Sequence, residues 1–251
     1  GVRDLDVSPN GKEVAFVYRG EVFVSSVDGG TTKRITNTPG QEINVSFSPD
    51  GKSLLYASER AGTWKIYQTS RTRAEEPYFF ASTVLRETPV IESNKDSYTP
   101  QYSPDGKEVA FIEDRQTLKV YNIASKNVRT ILTNNDLFAM TENDQYFTWS
   151  PDSKWLLFQF SEPGYWNGEI GIVAADGKGK KINLTESGYQ DFAPKWMMGG
   201  KMLIWNSNRE GLRAQANSGG TQSDVFALFL TQDAYDKYRL NKEDYALWKE
   251  A

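Results

Sequence analysis

Short apolar runs alternating with polar residues recur along the chain, and each is entered through nearly the same turn. Val14-Ala15-Phe16, Leu54-Leu55-Tyr56, Val109-Ala110-Phe111 and Leu156-Leu157-Phe158 follow, in turn, Ser8-Pro9-Asn10-Gly11-Lys12, Ser48-Pro49-Asp50-Gly51-Lys52, Ser103-Pro104-Asp105-Gly106-Lys107 and Ser150-Pro151-Asp152-Ser153-Lys154. A worn fifth copy, Gly199-Gly200-Lys201, precedes Leu203-Ile204-Trp205, and the five lysines stand 40, 55, 47 and 47 residues apart. Alternation with period two predicts half-buried strands, as in Val22 and Val24 set against Glu21 and Phe23. Strand-turn-strand repeats at this spacing are the signature of propeller blades.

The turn has a physical basis. Proline presets φ at the first corner, Asp or Asn bonds back to the backbone, and glycine takes the positive φ that closes the hairpin. Ser153 replaces that glycine in the fourth copy, so its turn is expected to be strained or rebuilt. The turn aspartates Asp50, Asp105 and Asp152 are assigned to structure rather than to metal binding or glycoside chemistry, which needs carboxylates converging on one site.

These patterns predict an all-β fold: a β-propeller of five four-stranded blades, with part of a six- or seven-bladed propeller as the alternative. The repeats cover about 3–40, 42–94, 97–135, 145–187 and 192–231. The second outer strand is broken by an insertion around Arg73 to Ala81 and resumes near Thr88 to Glu92. Five complete repeats favour a closed ring, since an arc leaves sheet faces bare. Trp149, Trp155, Trp196 and Trp205 fall at strand positions and are expected in the core. From Gln232 the pattern changes: Tyr235/Tyr238 and Tyr245/Trp248 sit at helical spacing, and Asn241 with Asp244 suits a helix start. Residues 232–251 therefore read as a C-terminal helical cap or linker.

Composition narrows function. The 251 residues contain neither histidine nor cysteine, so a Ser-His-Asp triad, a thiol nucleophile, a disulfide or a His- or Cys-ligated metal cannot be built from this chain. No cofactor and no metal are expected. The formal net charge is −4 with no basic run, which speaks against a nucleic-acid surface, and no long apolar stretch calls for a membrane. The abrupt start at Gly1-Val2-Arg3 reads as the edge of a piece of a longer protein.

The repeat Phe-Ser-Pro-Asp-Gly-Lys, followed by Ser58-Glu59-Arg60 and Trp64-Lys65-Ile66-Tyr67, resembles the TolB-type, WD-like propeller repeat. Further stretches resemble the propeller region of bacterial tricorn-protease-like serine peptidases: Arg3 to Ser8, Thr32 to Pro39, Trp166 to Glu169, Asn183 to Tyr189, Pro194 to Met198 and Gln222 to Val225. The resemblance spans essentially the whole chain. It implies a non-catalytic propeller, a substrate channel, filter or docking platform, ahead of a PDZ-containing peptidase portion that holds the catalytic serine and histidine. Partners would be peptides or the PDZ and peptidase domains of the same parent chain. Homo-oligomerisation of the full-length protein stays open, as does location in the bacterial periplasm or cytoplasm. The alternative is a stand-alone TolB-like protein–protein interaction module.

The loop between second and third strands opens beside the blade connections and collects arginines and aromatics suited to peptide carboxylates or a facing domain. It is enlarged in the last two repeats, at Ser161 to Gly168 and Arg209 to Asp224, and long loops on rigid scaffolds are where binding concentrates. The candidate binding residues are Arg60, Arg115, Trp166, Arg209, Arg213, Gln222 and Asp224; no catalytic residue is assigned. The competing assignment is that Glu and Arg at these positions tie neighbouring blades together.

Overall fold

The computed structural model describes residues 1–91, 93–137, 146–161, 167–212 and 221–250. Every sheet is an antiparallel meander that follows the chain. The first holds β1 (Val2–Val7), β2 (Glu13–Tyr18), β3 (Glu21–Ser26) and β4 (Thr32–Arg34). The second holds β5 (Glu42–Phe47), β6 (Ser53–Ser58), β7 (Lys65–Arg71) and β8 (Leu85–Ile91). In the third are β9 (Ser97–Tyr102), β10 (Glu108–Glu113), β11 (Thr117–Asn122) and β12 (Val128–Leu132). The fourth has β13 (Tyr146–Trp149), β14 (Trp155–Ser161), β15 (Gly168–Ala174) and β16 (Ile182–Asn183). In the fifth, β17 (Asp191–Met197), β18 (Met202–Ser207) and β19 (Asp224–Phe229) form three strands among the described residues. Helices α1 (Gln232–Arg239) and α2 (Lys242–Glu250) follow. Among the described residues no helix is long and apolar enough to cross a membrane.

The chain divides into two compact units, residues 1–145 with 175–178, and 146–174 with 179–251. In the first unit, Val22, Val24, Val45, Phe47, Leu54 and Tyr56 bury the seam between first and second sheets, and Leu55, Ile66, Val109 and Phe111 that between second and third. In the second, Leu157, Ile170, Leu203 and Trp205 do the same between fourth and fifth.

The turns behave as their chemistry dictates. In each of the four Ser-Pro turns, the serine hydroxyl donates to the Asp or Asn two residues on, whose oxygen accepts from the lysine amide, and the serine oxygen also caps the returning strand. Gly11, Gly51 and Gly106 hold φ of 70°, 68° and 72°. Ser153 is forced to 61° and keeps the turn bond, its amide donating to the Ser150 carbonyl at 2.9 Å, so the fourth turn is strained rather than rebuilt.

Two local expectations are corrected. Trp155 is not core: it opens β14 beside the turn and is 38% exposed, whereas Trp149 and Trp205 are buried. The insertion in the second repeat lies between the third and fourth strands rather than inside the outer one, which resumes at Leu85. Its Phe79 is fully buried in the first seam, and the Phe79 amide donates to Glu13 Oε1 at 2.6 Å.

The helices start where capping chemistry places them. Thr231 Oγ1 accepts from the Ala234 amide, and Asn241 Oδ1 from the Glu243 and Asp244 amides.

Candidate functional site

The blade connections hold buried carboxylates. Glu42, which opens β5, has no exposed side-chain surface. Its Oε1 accepts from Thr38 Oγ1 at 2.7 Å and Ser58 Oγ at 2.8 Å, and Arg60 Nη2 stands 3.3 Å away. The Arg60 guanidinium also forks onto Glu87 and lies 4.3 Å over the Tyr67 ring. Tyr56 donates to that same Glu87, and burial followed by this contact pushes its hydroxyl well above the usual tyrosine range. Thr36 Oγ1 accepts from the Val22 amide and sits 2.6 Å from Glu21 Oε2 and 3.2 Å from Glu42 Oε2, joining the two carboxylates. Burial raises the Glu42 carboxyl, and the Glu21 charge adds to it. Burial acts on Glu21 in the same sense, but hydrogen bonds from Thr36, Arg34 and the Thr38 amide outweigh it and hold Glu21 below its ordinary value.

The same device stands between fourth and fifth blades. Glu169 accepts from Thr185 Oγ1 and from the Ser187 and Gly188 amides. Asp191, with no exposed side-chain surface, accepts from Ser187 Oγ and Trp205 Nε1 and faces Arg209 Nη2 at 3.8 Å. Arg209 lies 4.7 Å over the Phe226 ring, as Arg60 lies over Tyr67. Ser58 and Arg60 stand 16 and 18 residues beyond Glu42, and Ser207 and Arg209 the same distances beyond Asp191. In the third blade the parts are permuted. Ser97 takes the Glu42 position and Glu113 that of Ser58, and the cation on Glu113 is Lys119, standing where Tyr67 stands.

The inner strands carry a second device. Asp4, Asn44, Thr99 and Ala193 each lie five residues before the repeat's proline position and adopt positive φ between 51° and 58°. At each the pairing slips by a β-bulge. The bulge residue's side chain reaches forward: the Asn44 amide donates to Asp4 Oδ2 at 2.9 Å, and the Thr99 amide to Asn44 Oδ1 at 3.2 Å. In the second unit Gln159 Oε1 serves the Ala193 amide at 3.2 Å. The spacing of Asp4 and Asn44 from each proline was the available signal for this ladder; the alternation pattern passes over it.

Of the candidate residues, Arg60 and Arg209 are thus tied to buried carboxylates within the fold. Arg115 holds the matching position of the third blade, exposed and in the left-handed region at φ 68°. Gln222 closes a loop base: its amide donates to the Leu212 carbonyl at 2.9 Å, and its Oε1 accepts from the Leu212 amide at 3.2 Å. Asp224 is exposed and opens β19 opposite Ser207. Trp166 and Arg213 lie outside the described residues.

No protein-family profile matches the chain. It is 26% identical over 201 residues to a tricorn protease homolog of Saccharolobus solfataricus, covering 80% of this chain and 17% of that protein. A 50-residue stretch is 40% identical to the Tol-Pal system protein TolB of Bordetella pertussis, covering 20% of this chain and 11% of that one. The crystal structure of the tricorn protease superposes on 92% of this chain and 22% of its own, with a TM-score of 0.67 at 17% identity. The chain therefore spans less than a fifth of the length of these curated relatives. By fold and repeat, this is an all-β propeller of TolB-type repeats that is similar to the propeller region of tricorn-like peptidases.

Proposed function

We propose that the chain is a non-catalytic propeller domain of a tricorn-like peptidase, a substrate channel, filter or docking platform for peptides and for the PDZ and peptidase domains of the same parent chain. The observation that carries this reading is the reach of the sequence similarity, since superposition covers TolB and tricorn structures alike. The tricorn homolog aligns over 201 residues, several blades at once, whereas TolB aligns over 50, about one repeat. Docking is assigned to the fourth-blade loop through Trp166 and to the fifth-blade loop through Arg213, Gln222 and Asp224, with Arg115 as the exposed contact of the third blade. Arg60 and Arg209 serve the fold.

Purified chain should leave a peptide mixture intact while binding the peptidase portion. Gln222→Ala with Asp224→Ala should weaken that binding and spare the melting temperature, whereas Arg209→Ala should lower the melting temperature first. Robust hydrolysis by the purified chain overturns the reading. The TolB match favours a second reading, a stand-alone interaction module. A parent gene that encodes PDZ and peptidase domains downstream selects the first; a stop codon selects the second.

A further inference from the structure

One position repeats through all five sheets. Val22, Ile66, Leu118, Ile170 and Val225 are each the third-strand residue paired with the residue five places beyond the turn lysine. The first four are at most 1% exposed, and Val225 is 66% exposed. In the first four sheets a fourth strand pairs beside this position, and the next sheet covers the faces of Val22, Ile66 and Ile170. The Ile35 amide donates to the Val22 carbonyl and the Leu184 amide to the Ile170 carbonyl, both at 2.8 Å, while Ile91 and Leu132 pair with Ile66 and Leu118. Beyond β19 the fifth sheet has no such strand among the described residues. α1 packs on its far end, where Phe229 meets Tyr235 and Tyr238.

Three of the four fourth strands share a chemistry. Ile35, Leu132 and Leu184 are each followed by threonine. Thr36 and Thr185 accept from the amides of Val22 and Ile170 and donate to Glu21 and Glu169, the residues just before them. Arg34, just before Ile35, adds its guanidinium to Glu21 at 2.6 Å. In the fifth sheet the residue just before Val225 is Asp224, an exposed carboxylate in the place of Glu21 and Glu169.

We propose that the edge of β19 takes up an extended polypeptide strand, antiparallel to it, of the pattern arginine–aliphatic–threonine. The aliphatic side chain lies beside Val225, the threonine hydroxyl bridges the Val225 amide and Asp224, and the arginine pairs with Asp224. Strand addition gains affinity from backbone hydrogen bonds and selectivity from alternate side chains. The inference does not depend on the parent being a peptidase.

The test uses the chain with a labelled peptide reproducing residues 30–39, which contains Arg34-Ile35-Thr36, followed by fluorescence anisotropy. Saturable binding is expected. Asp224→Ala should weaken it about tenfold, the worth of one charged hydrogen bond, and Val225→Asp should abolish it. Both side chains are exposed, so both variants should melt like the parent. Peptides carrying Arg34→Glu or Ile35→Asp should fail. Absence of saturable binding, or equal binding of the control peptides, overturns the proposal. So does self-association that Val225→Asp removes, because the occupant is then a second copy.

Discussion

Arg60→Ala tests the blade clasp most sharply. The Arg60 side chain is 18% exposed and faces Glu42, which has no exposed surface. Breaking a buried pair from one side costs about 3–5 kcal/mol because the remaining charge is stranded. Glu42 keeps its Thr38 and Ser58 hydroxyls, and Glu87, a third exposed, can return to water, which places the loss near the lower end. Loss of the guanidinium over Tyr67 adds up to about 1 kcal/mol. A total of about 3–4 kcal/mol lowers the melting temperature by about 6–16 °C in a protein of this size. In a Glu42→Gln background no charge is stranded, and the same substitution should cost about 1–2 kcal/mol less. The pH dependence has a definite sign. A carboxyl raised above its unfolded value contributes stability that is complete below that value and is lost as pH rises through the folded one. Glu42 is raised already and rises further without Arg60, so the deficit should be larger at pH 7 than at pH 5. Circular dichroism melts of the four proteins at both pH values decide the matter. A drop under about 2 °C, or equal drops in both backgrounds, refutes the clasp.

Ser153→Gly should raise the melting temperature by about 1–2 °C, because relief of the left-handed strain slightly exceeds the entropy glycine loses; a lower value contradicts the strain. Gly171→Ala should cost about 1–3 kcal/mol, since a Cβ there stands 2.4 Å from Cζ of the buried Phe158, and an unchanged denaturant midpoint would show that the ring can move. The turn aspartates predict acid sensitivity. Burial raises Asp50 and Asp105, but bonds from Ser48 and Ser103 and from the lysine amides outweigh it; at Asp152 the Ser150 bond leads, and all three lie below their ordinary value. Their contribution is present above that value and fades as pH falls through the depressed one. Substituting all three by asparagine, which already serves at Asn10, should flatten the stability profile below about pH 5; an unchanged profile refutes it.

The strands and turns were legible because period-two alternation and a proline–Asx–glycine corner are local physics. The clasp was half legible. Arginine and glutamate were visible at the blade connections, but a charge on a loop reads alike whether it meets solvent or a buried carboxylate. Only the matched offsets of Glu42, Ser58 and Arg60 with Asp191, Ser207 and Arg209 separate the cases. Trp155 misled because an aromatic at a strand's first residue lies beside a solvated turn. The open edge at Val225 was illegible in its own sequence, since Val225-Phe226-Ala227 has the composition of the covered third strands and the missing element is a neighbour.

The bulge ladder makes loss of side chains directional. Each link takes its acceptor from the earlier blade and its amide from the later one, as Asp4 serves Asn44 and Asn44 serves Thr99. Truncating the later side chain of a link leaves that link intact, because only its amide takes part. Truncating the earlier side chain orphans a part-buried backbone amide, which costs about 1–3 kcal/mol. Arrays wired this way make the backbone of each blade depend on a side chain of the one before.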